Sequence, residues 1–333
     1  MEKSAVKIKA RKLFTSSQFF VFVIIFVLGT VIQLCSGEFY TANSLVDILR
    51  AMIVIISGGT DVSFPAIASL TLAVVTSCMD KMDYSGPIIL VFLFAAVLGA
   101  LIGSLNGVLV GIYQIPTLIA SLGTTTICVG IMLGLMKARE IAVLPPAMKA
   151  MSEASLVTVR SKSLNMASSL PAVFLVLVLV VAATWFLLNK TYVGRSIFAI
   201  GGDIQAARRV GFPVVRSQMM IYMYSGMLAG LGGITRVFLM GAAYPQNLLG
   251  SELKIIAAVV LGGTRITGGI GSITGSLLGV ALFAIIENSL QLIGVPSYWQ
   301  KAFTGIFIIV GTGLTSYQVL RKNRQTHVDV DGA

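Results

Sequence analysis

Long uncharged runs separated by short polar segments dominate the chain. They extend over residues 13–37, 62–79, 84–136, 164–189, 217–235, 266–286 and 302–320. A helix needs about 20 apolar residues to cross the hydrocarbon core of a bilayer, so most of these runs predict one span each. The run 84–136 is long enough for two helices, and a turn at Tyr113-Gln114-Ile115-Pro116 is expected to separate them.

Two further apolar segments, residues 48–59 and 255–263, are too short to cross a bilayer unaided. With them, we predict about ten membrane passages, of which the second and the eighth are short or broken. The predicted fold class is therefore all-α, a polytopic transmembrane helix bundle.

The two short segments also resemble each other. Val54-Ile55-Ile56-Ser57-Gly58-Gly59-Thr60 in the first half is matched by Ala258-Val259-Val260-Leu261-Gly262-Gly263-Thr264 in the second. Glycine-broken segments at corresponding places in two halves are typical of the pathway of a transporter. We therefore predict two pseudo-repeated halves.

Composition supports a lipid environment for the chain. Of its 333 residues 56% are hydrophobic and 11% are charged, against about 25% charged residues in soluble domains. A soluble enzyme or binding module is thereby excluded. The net charge of +11 does not indicate a nucleic-acid partner, because the basic residues stand between apolar runs, where membrane proteins place them.

The positions of Lys and Arg predict the orientation in the membrane. They cluster before residue 13, in the loop 189–216 and after residue 320, and the positive-inside rule places these three regions in the cytoplasm. The loop 137–163 is equally basic although it lies one span away, so the termini decide the assignment. The predicted divisions are a basic cytoplasmic N-terminus (1–12), a single transmembrane domain (13–320) and a cytoplasmic tail (321–333). The first run is interpreted as an uncleaved span, because it is longer than the apolar part of a signal peptide.

Catalytic and metal chemistry have few residues to use. The single histidine is His327 in the polar tail, and the three cysteines are scattered, so neither a metal site nor a catalytic site is predicted. Polar residues at membrane depth are functional candidates. For a translocation pathway these are Asp61, Ser63, Asn106, Glu287 and Asn288.

A structural interpretation of the same residues stays open. Asp61 would then be an N-cap or first-turn acid of the third span, and Glu252 would do the same for the eighth. Asn106 and Asn288 would form hydrogen bonds between helices.

The loop 194–216 contains the pattern of a short basic helix. Asp203 is a helix-start residue, and Gly211-Phe212-Pro213 is a stop signal. The helix between them is either an interfacial helix with positive-inside residues or a docking helix for a cytosolic partner.

Within this loop, Gln205-Ala206-Ala207-x-x-x-Gly211 resembles the Glu-Ala-Ala-x-x-x-Gly coupling loop of ABC-importer permeases. The flanking motifs resemble the ribose/galactose/xylose-type permease family, in order and from about residue 39 to 314. They are Phe39-Tyr40-Thr41-x-Asn43, Ser57-Gly58-Gly59-x-Asp61-Val62-Ser63, Gly107-x-Leu109-x-Gly111-x-x-x-Ile115-Pro116, Gly194-Arg195, Ala199-Ile200-Gly201-Gly202-Asp203, Ile256-Ala257-Ala258-Val259-Val260-Leu261-Gly262-Gly263-Thr264 and Gly268-Gly269-x-Gly271.

The resemblance implies a multi-pass permease of the bacterial plasma (inner) membrane that imports a monosaccharide. It would pair with a second copy or a paralogue, and an extracytoplasmic binding protein would deliver the sugar. Two cytosolic ATPases would dock on the coupling loop. Asp203, Gln205, Ala206, Ala207, Arg208, Arg209 and Gly211 are the residues implied for this contact. The chain has no phosphate-binding loop of the Gly-x-x-x-x-Gly-Lys-[Ser/Thr] type, so it binds no cofactor and ATP is left to the partner.

The chain departs from the family pattern at two places. Gln205 replaces the usual Glu, and the stretch between Asn43 and Ser57 is shorter by about a dozen residues, or about 18 Å of helix. The alternative function is an ion-coupled secondary transporter. It would predict paired carboxylates or histidines at mid-span, whereas the carboxylates here are isolated and near helix ends. An intramembrane enzyme would need a nucleophile–base or metal constellation, which the sequence lacks.

Overall fold

The computed structural model describes residues 57–160 and 167–296, together with eight single positions between 298 and 313. The predicted first span, most of the short segment 48–59 and both termini lie outside these residues. So do the shortened stretch before Ser57 and most of the predicted last span.

Helices dominate the described residues, as predicted. The elements are α1 (Phe64–Lys81), α2 (Ile88–Gly111), α3 (Thr117–Gly134), α4 (Pro146–Glu153), β1 (Ser155–Arg160), β2 (Ala167–Pro171), α5 (Phe174–Lys190), α6 (Tyr192–Gly202), α7 (Ile204–Arg209), α8 (Val214–Met240), a 3-10 turn (Pro245–Leu248), α9 (Glu252–Leu261) and α10 (Ile273–Leu292).

The helical class is confirmed for the described residues, and the antiparallel hairpin of β1 and β2 is an element that the sequence analysis did not predict. Its register runs from Ser155 opposite Pro171 to Arg160 opposite Ala167, with an irregularity after Ser155. β1 carries Leu156-Val157-Thr158-Val159, and β-branched residues favour strands. The uncharged run 164–189 was interpreted as one span. Within this run Ala167–Pro171 form β2, and α5 begins only at Phe174.

Two of the described helices, α2 and α3, are long and apolar enough to cross a membrane. The predicted turn between them is confirmed, because Gln114 has a positive φ of 56° and Pro116 precedes the first turn of α3. The helices α5 and α6 form a third candidate span that is bent by 71°, and the first part of α10, Ile273–Phe283, is apolar but shorter. The total of ten passages remains a prediction.

The chain divides into two compact units. The larger comprises Ala42–Leu253 and Ile266–Ile270, and the smaller includes Lys254–Arg265 and the residues from Gly271 onward. In the larger unit, α1 is buried along most of its length and contacts α2, α3 and α8. In the smaller unit, Ala257, Ala258 and Phe283 form a buried cluster that packs α10 on the end of α9.

A glycine seam joins α2 and α8, which form the most extensive helix pair of the larger unit. A Cβ atom on Gly103 would collide with the carbonyl oxygen of Tyr222 and would lie 2.8 Å from Cα of Gly226. Gly99 meets Gly226 and Gly230 in the same way. Glycines four residues apart allow two helices to approach this closely.

Candidate functional site

Asp61 and Ser63 form a compact hydrogen-bonded turn at the entrance to α1. Asp61 Oδ1 accepts hydrogen bonds from the backbone N–H of Ser63 (2.7 Å) and from its hydroxyl (2.6 Å). The N-cap of α1 is Ser63, and Asp61 lies two residues before it. The interpretation of Asp61 as the N-cap is therefore wrong. The carboxylate instead orients the residue that occupies the cap position.

The hydrogen bonds continue from Ser63 into α2 and α3. Asn106 Nδ2 donates to Ser63 Oγ (2.9 Å), and Thr124 Oγ1 donates to Asn106 Oδ1 (2.5 Å). All four side chains of this polar network, Asp61, Ser63, Asn106 and Thr124, are buried. The network ties three helices of the larger unit together, and hydrogen-bonded polar groups are what a buried site must have.

Three of the five candidate pathway residues are thus brought into one cluster. Thr124 was missed because it is the first of three consecutive threonines, Thr124-Thr125-Thr126, and the sequence does not show which of them faces Asn106. Glu287 and Asn288 lie near the end of α10, in the smaller unit, and only their backbone is described. The structural interpretation of Glu252 is confirmed, because it opens α9 and its Oε1 accepts from the N–H of Gly250 (3.2 Å).

The short helix α7 begins and ends where the sequence predicts. Asp203 is its N-cap, and Oδ1 accepts from the N–H groups of Gln205 (2.8 Å) and Ala206 (3.0 Å). Hydrogen bonds from Ala206 and then Gln205 lower the pKa of the Asp203 carboxyl below its ordinary value of 3.8, so the cap is charged at neutral pH. After α7, Gly211 takes a positive φ of 91°, which glycine adopts readily, and Pro213 precedes α8.

The residues of α7 divide between an exposed and a buried face. Gln205, Ala206, Arg208 and Arg209 are exposed. The side chain of Ala207 is only 3% exposed and packs in a cluster with Ile200 and Val214. The implied close contact of both alanines with a partner therefore does not hold for the Ala207 side chain, because the chain's own core covers it. Its small size instead lets α7 lie close to the end of α6 and the start of α8.

Much of the predicted loop 194–216 is helical, and it packs as one body. We call residues 192–217 the coupling segment. Ser196 Oγ and Ser217 Oγ share a buried hydrogen bond of 2.6 Å, and the rings of Tyr192 and Phe212 lie 5.3 Å apart. At the bend before this segment, Thr191 Oγ1 caps α6 by accepting from the N–H of Gly194 (3.1 Å).

Cations and aromatic rings pair on either side of the bend. Lys190 Nζ lies 5.7 Å from the centroid of the Trp185 ring, and the guanidinium of Arg195 lies 5.8 Å from that of Tyr192. Within the described part of the chain, no cluster of three or more His, Cys, Asp or Glu residues could hold a metal ion.

Comparison with known families decides the class of the protein. Residues 48–311 match the family described as the permease component of the branched-chain amino acid transport system. The chain belongs to this permease family. A permease of this family is a multi-pass protein of the inner membrane, and the buried network and the coupling segment are therefore features of a permease.

The relatives of this permease import several solutes. The galactose/methyl galactoside import permease protein MglC of Escherichia coli (strain K12) is 33% identical over 317 residues, covering 90% of this chain and 92% of the relative. The autoinducer 2 import system permease protein LsrC of Enterobacter sp. (strain 638) is 34% identical over 261 residues, 78% of this chain and 72% of the relative. The ribose import permease protein RbsC of Haemophilus influenzae is 28% identical over 312 residues, 90% and 94% of the two chains. No solved structure gives a significant match to the permease.

Proposed function

We propose that this chain is the membrane-spanning permease subunit of an ATP-binding-cassette importer that translocates a monosaccharide. An extracytoplasmic binding protein delivers the sugar, and two separate ATPase subunits dock on the region 194–216. The permease pairs with a second copy or a paralogue in the bacterial plasma membrane, with both termini in the cytoplasm. The observation that carries this proposal is the capped helix α7 at the predicted coupling position, in a chain that belongs to a permease family.

The shape of α7 supports docking of another protein. Its exposed face presents Gln205, Ala206 and two arginines, and Val210 is 77% exposed at its end. Arg208 and Arg209 are suited to pair with acidic groups on the rim of an ATPase groove. Because Ala207 anchors the other face, α7 is a fixed projection and loses little conformational freedom on binding. The side-chain amide of Gln205 can still form hydrogen bonds at the position where the family pattern has Glu.

The polar network supports a neutral, hydroxyl-rich substrate. Amide and hydroxyl groups of Ser63 and Asn106 are partners that a sugar can use, with Asp61 behind them. We assign Glu287 and Asn288 to the corresponding place in the second half. The ion-coupled alternative is less well supported, because Asp61 Oδ1 accepts hydrogen bonds from the hydroxyl and the backbone N–H of Ser63, which gives this carboxylate a role in shaping the entrance to α1.

The test of the proposed function is purification of the tagged permease from cells that express it with the ATPase and the binding protein of its own gene neighbourhood. The ATPase is expected to co-purify, and proteoliposomes containing the complex are expected to accumulate ribose or galactose, but not leucine, when ATP is supplied. The proposal is overturned when no ATPase co-purifies and uptake persists without ATP in the presence of a proton or sodium gradient.

Orientation has its own test, which uses two valines of equal exposure. Val210 at the end of α7 is 77% exposed, and Val143 in the connection between α3 and α4 is 78% exposed. In a variant without native cysteines, Val143→Cys is expected to react with a membrane-impermeant maleimide in intact spheroplasts. Val210→Cys is expected to react only after the membrane is opened. The reverse pattern would invert the proposed topology.

A further inference from the structure

Two loops and the end of α6 meet backbone to backbone in the larger unit. A Cβ atom on Gly268 would lie 2.7 Å from both N and Cα of Gly58 and 2.7 Å from the carbonyl oxygen of Gly201. One on Gly269 would lie 3.0 Å from N and Cα of Gly202. We call these five residues the glycine junction. A Cβ atom on Gly268 would therefore overlap both neighbouring segments, whereas one on Gly58 would make ordinary contacts at 3.7 Å.

The first arm of the junction continues directly into α7. Only Asp203 separates Gly202 from α7. The backbone of Asp203 is hydrogen-bonded to both helices, because its N–H donates to the carbonyl of Ala199 in α6 (3.1 Å) and its carbonyl accepts from the N–H of Ala207 in α7 (2.9 Å). The side chain of Ala207 also packs against Ile200. A force applied to α7 therefore displaces Gly201 and Gly202 with it.

The second arm leads to the polar network. Gly58 stands three residues before Asp61, which holds Ser63 at the entrance to α1 and is linked through Asn106 to α2. In addition, the N–H of Thr60 donates to Thr117 Oγ1 at the start of α3 (3.2 Å). A shift of Gly58 is thus passed to the first turns of two helices.

The third arm belongs to the second half of the chain. Gly268 and Gly269 lie in the glycine-rich loop between α9 and α10, a few residues after the short segment 255–263. Gly58 lies at the end of the other short segment, 48–59. The junction therefore joins α7 to the loops that follow both short, broken segments, where the sequence places the transport pathway.

We propose that Gly58, Gly268 and Gly269 are positioning residues for transport, through which a displacement of α7 moves the loops of both halves together. This inference rests on the proposed function, since the ATPase supplies the displacement. Close backbone contact suits this role, because tightly packed atoms have low compressibility and transmit strain. A Cβ at Gly268 would push the backbones of Gly58 and Gly201 away and disrupt this transmission.

The test is a graded series of Gly→Ala variants of the permease in its complex, with transported solute per ATP hydrolysed as the readout. Gly268→Ala, Gly269→Ala and Gly58→Ala place Cβ atoms at nearest distances of 2.7, 3.0 and 3.7 Å from the junction. Gly250→Ala is the matched control, because its φ of 85° is close to the 88° of Gly268 but its Cβ would meet nothing within 4 Å. Co-purified ATPase and melting temperature are measured for each variant.

The amount of solute transported per ATP is expected to fall most for Gly268→Ala, by about tenfold or more, less for Gly269→Ala and least for Gly58→Ala. For Gly250→Ala it is expected to change less than about twofold. ATPase association is expected to stay at the wild-type level throughout. An equal loss in Gly250→Ala would show that backbone strain is responsible, and a normal yield in Gly268→Ala would overturn the inference. If Gly268→Ala does not assemble, a normal yield in the milder Gly269→Ala overturns it equally. Failure of the wild-type chain to bind an ATPase would instead refute the proposed function.

Discussion

The same substitution is expected to have opposite effects at two glycines of neighbouring helices. Gly103 of α2 faces α8 across the glycine seam, where an added Cβ would collide with the carbonyl oxygen of Tyr222 and lie 2.8 Å from Cα of Gly226. Gly130, which precedes the last turn of α3, is exposed, and an added Cβ would meet nothing within 4 Å. Gly103→Ala and Gly130→Ala therefore form a matched pair, since both change helix propensity alike.

The magnitudes follow from contact distances. Carbon atoms pack at about 3.5–4.0 Å, so α2 and α8 must separate by about 1 Å to admit the methyl group. Overpacking of this kind costs about 1–3 kcal/mol, against a gain of up to about 1 kcal/mol when alanine replaces glycine in a helix. We expect Gly103→Ala to lower the free energy of unfolding by about 1–2 kcal/mol and Gly130→Ala to leave it unchanged or raise it.

The measurement is unfolding of the purified permease in mixed micelles, by SDS titration or by heat, at equal protein and detergent concentrations. The glycine seam is wrongly described if Gly103→Ala is as stable as the wild type. The description is also wrong if Gly130→Ala is destabilised as much as Gly103→Ala, because the loss of stability would then come from placing alanine in a helix and not from the contact between α2 and α8.

The remaining predictions concern the coupling segment and the polar network. Ala206→Leu is expected to reduce ATPase association without changing stability, whereas Ala207→Leu is expected to lower stability by about 1–3 kcal/mol through overpacking. If the two variants behave alike in pull-down and melting assays, the division of α7 into an exposed and a buried face is contradicted. Asn106→Leu removes two interhelical hydrogen bonds of about 0.6–2 kcal/mol each, so the melting temperature is expected to fall, and an unchanged melting temperature with a raised KM would indicate a substrate contact instead. Because the pKa of Asp203 is lowered, its cap is present above its ordinary pKa and lost only as the pH falls through the lower folded value. ATPase binding in pull-downs is thus expected to be constant from about pH 5 to pH 8, kept by Asp203→Asn and weakened by Asp203→Ala; weak binding of the Asn variant would implicate the charge itself.

Local signals in the sequence predict local structure well in this chain. The turn at Gln114 and Pro116 and the start of α7 at Asp203 follow from residues that restrict the backbone or cap a helix, and these act within a few positions. The sequence does not predict which residue of α7 is buried. Ala206 and Ala207 have the same local chemistry, and only the packing of Ile200 and Val214 distinguishes them.

Features that depend on distant residues could not be predicted. The hairpin was missed because an uncharged run has no period that separates a short strand from the start of a span. The glycine junction joins residues more than 200 positions apart, and a Gly-Gly pair alone does not identify its neighbour. Asp61 and Asn106 were recognised as polar residues at membrane depth, but their connection through Ser63 requires the tertiary fold.

The bend between α5 and α6 also sets how deep α7 sits relative to the bilayer. Trp185 and Tyr192 flank the bend, each with a cation over its ring, and such amphipathic rings settle at the level of the lipid headgroups. We therefore expect the bend to lie near the level of the headgroups and to set the height of α7 above the membrane. A bilayer of different thickness would tilt α5 and carry α7 with it. Lipid composition is therefore expected to tune the energetic link between ATP hydrolysis and transport without any change in the protein.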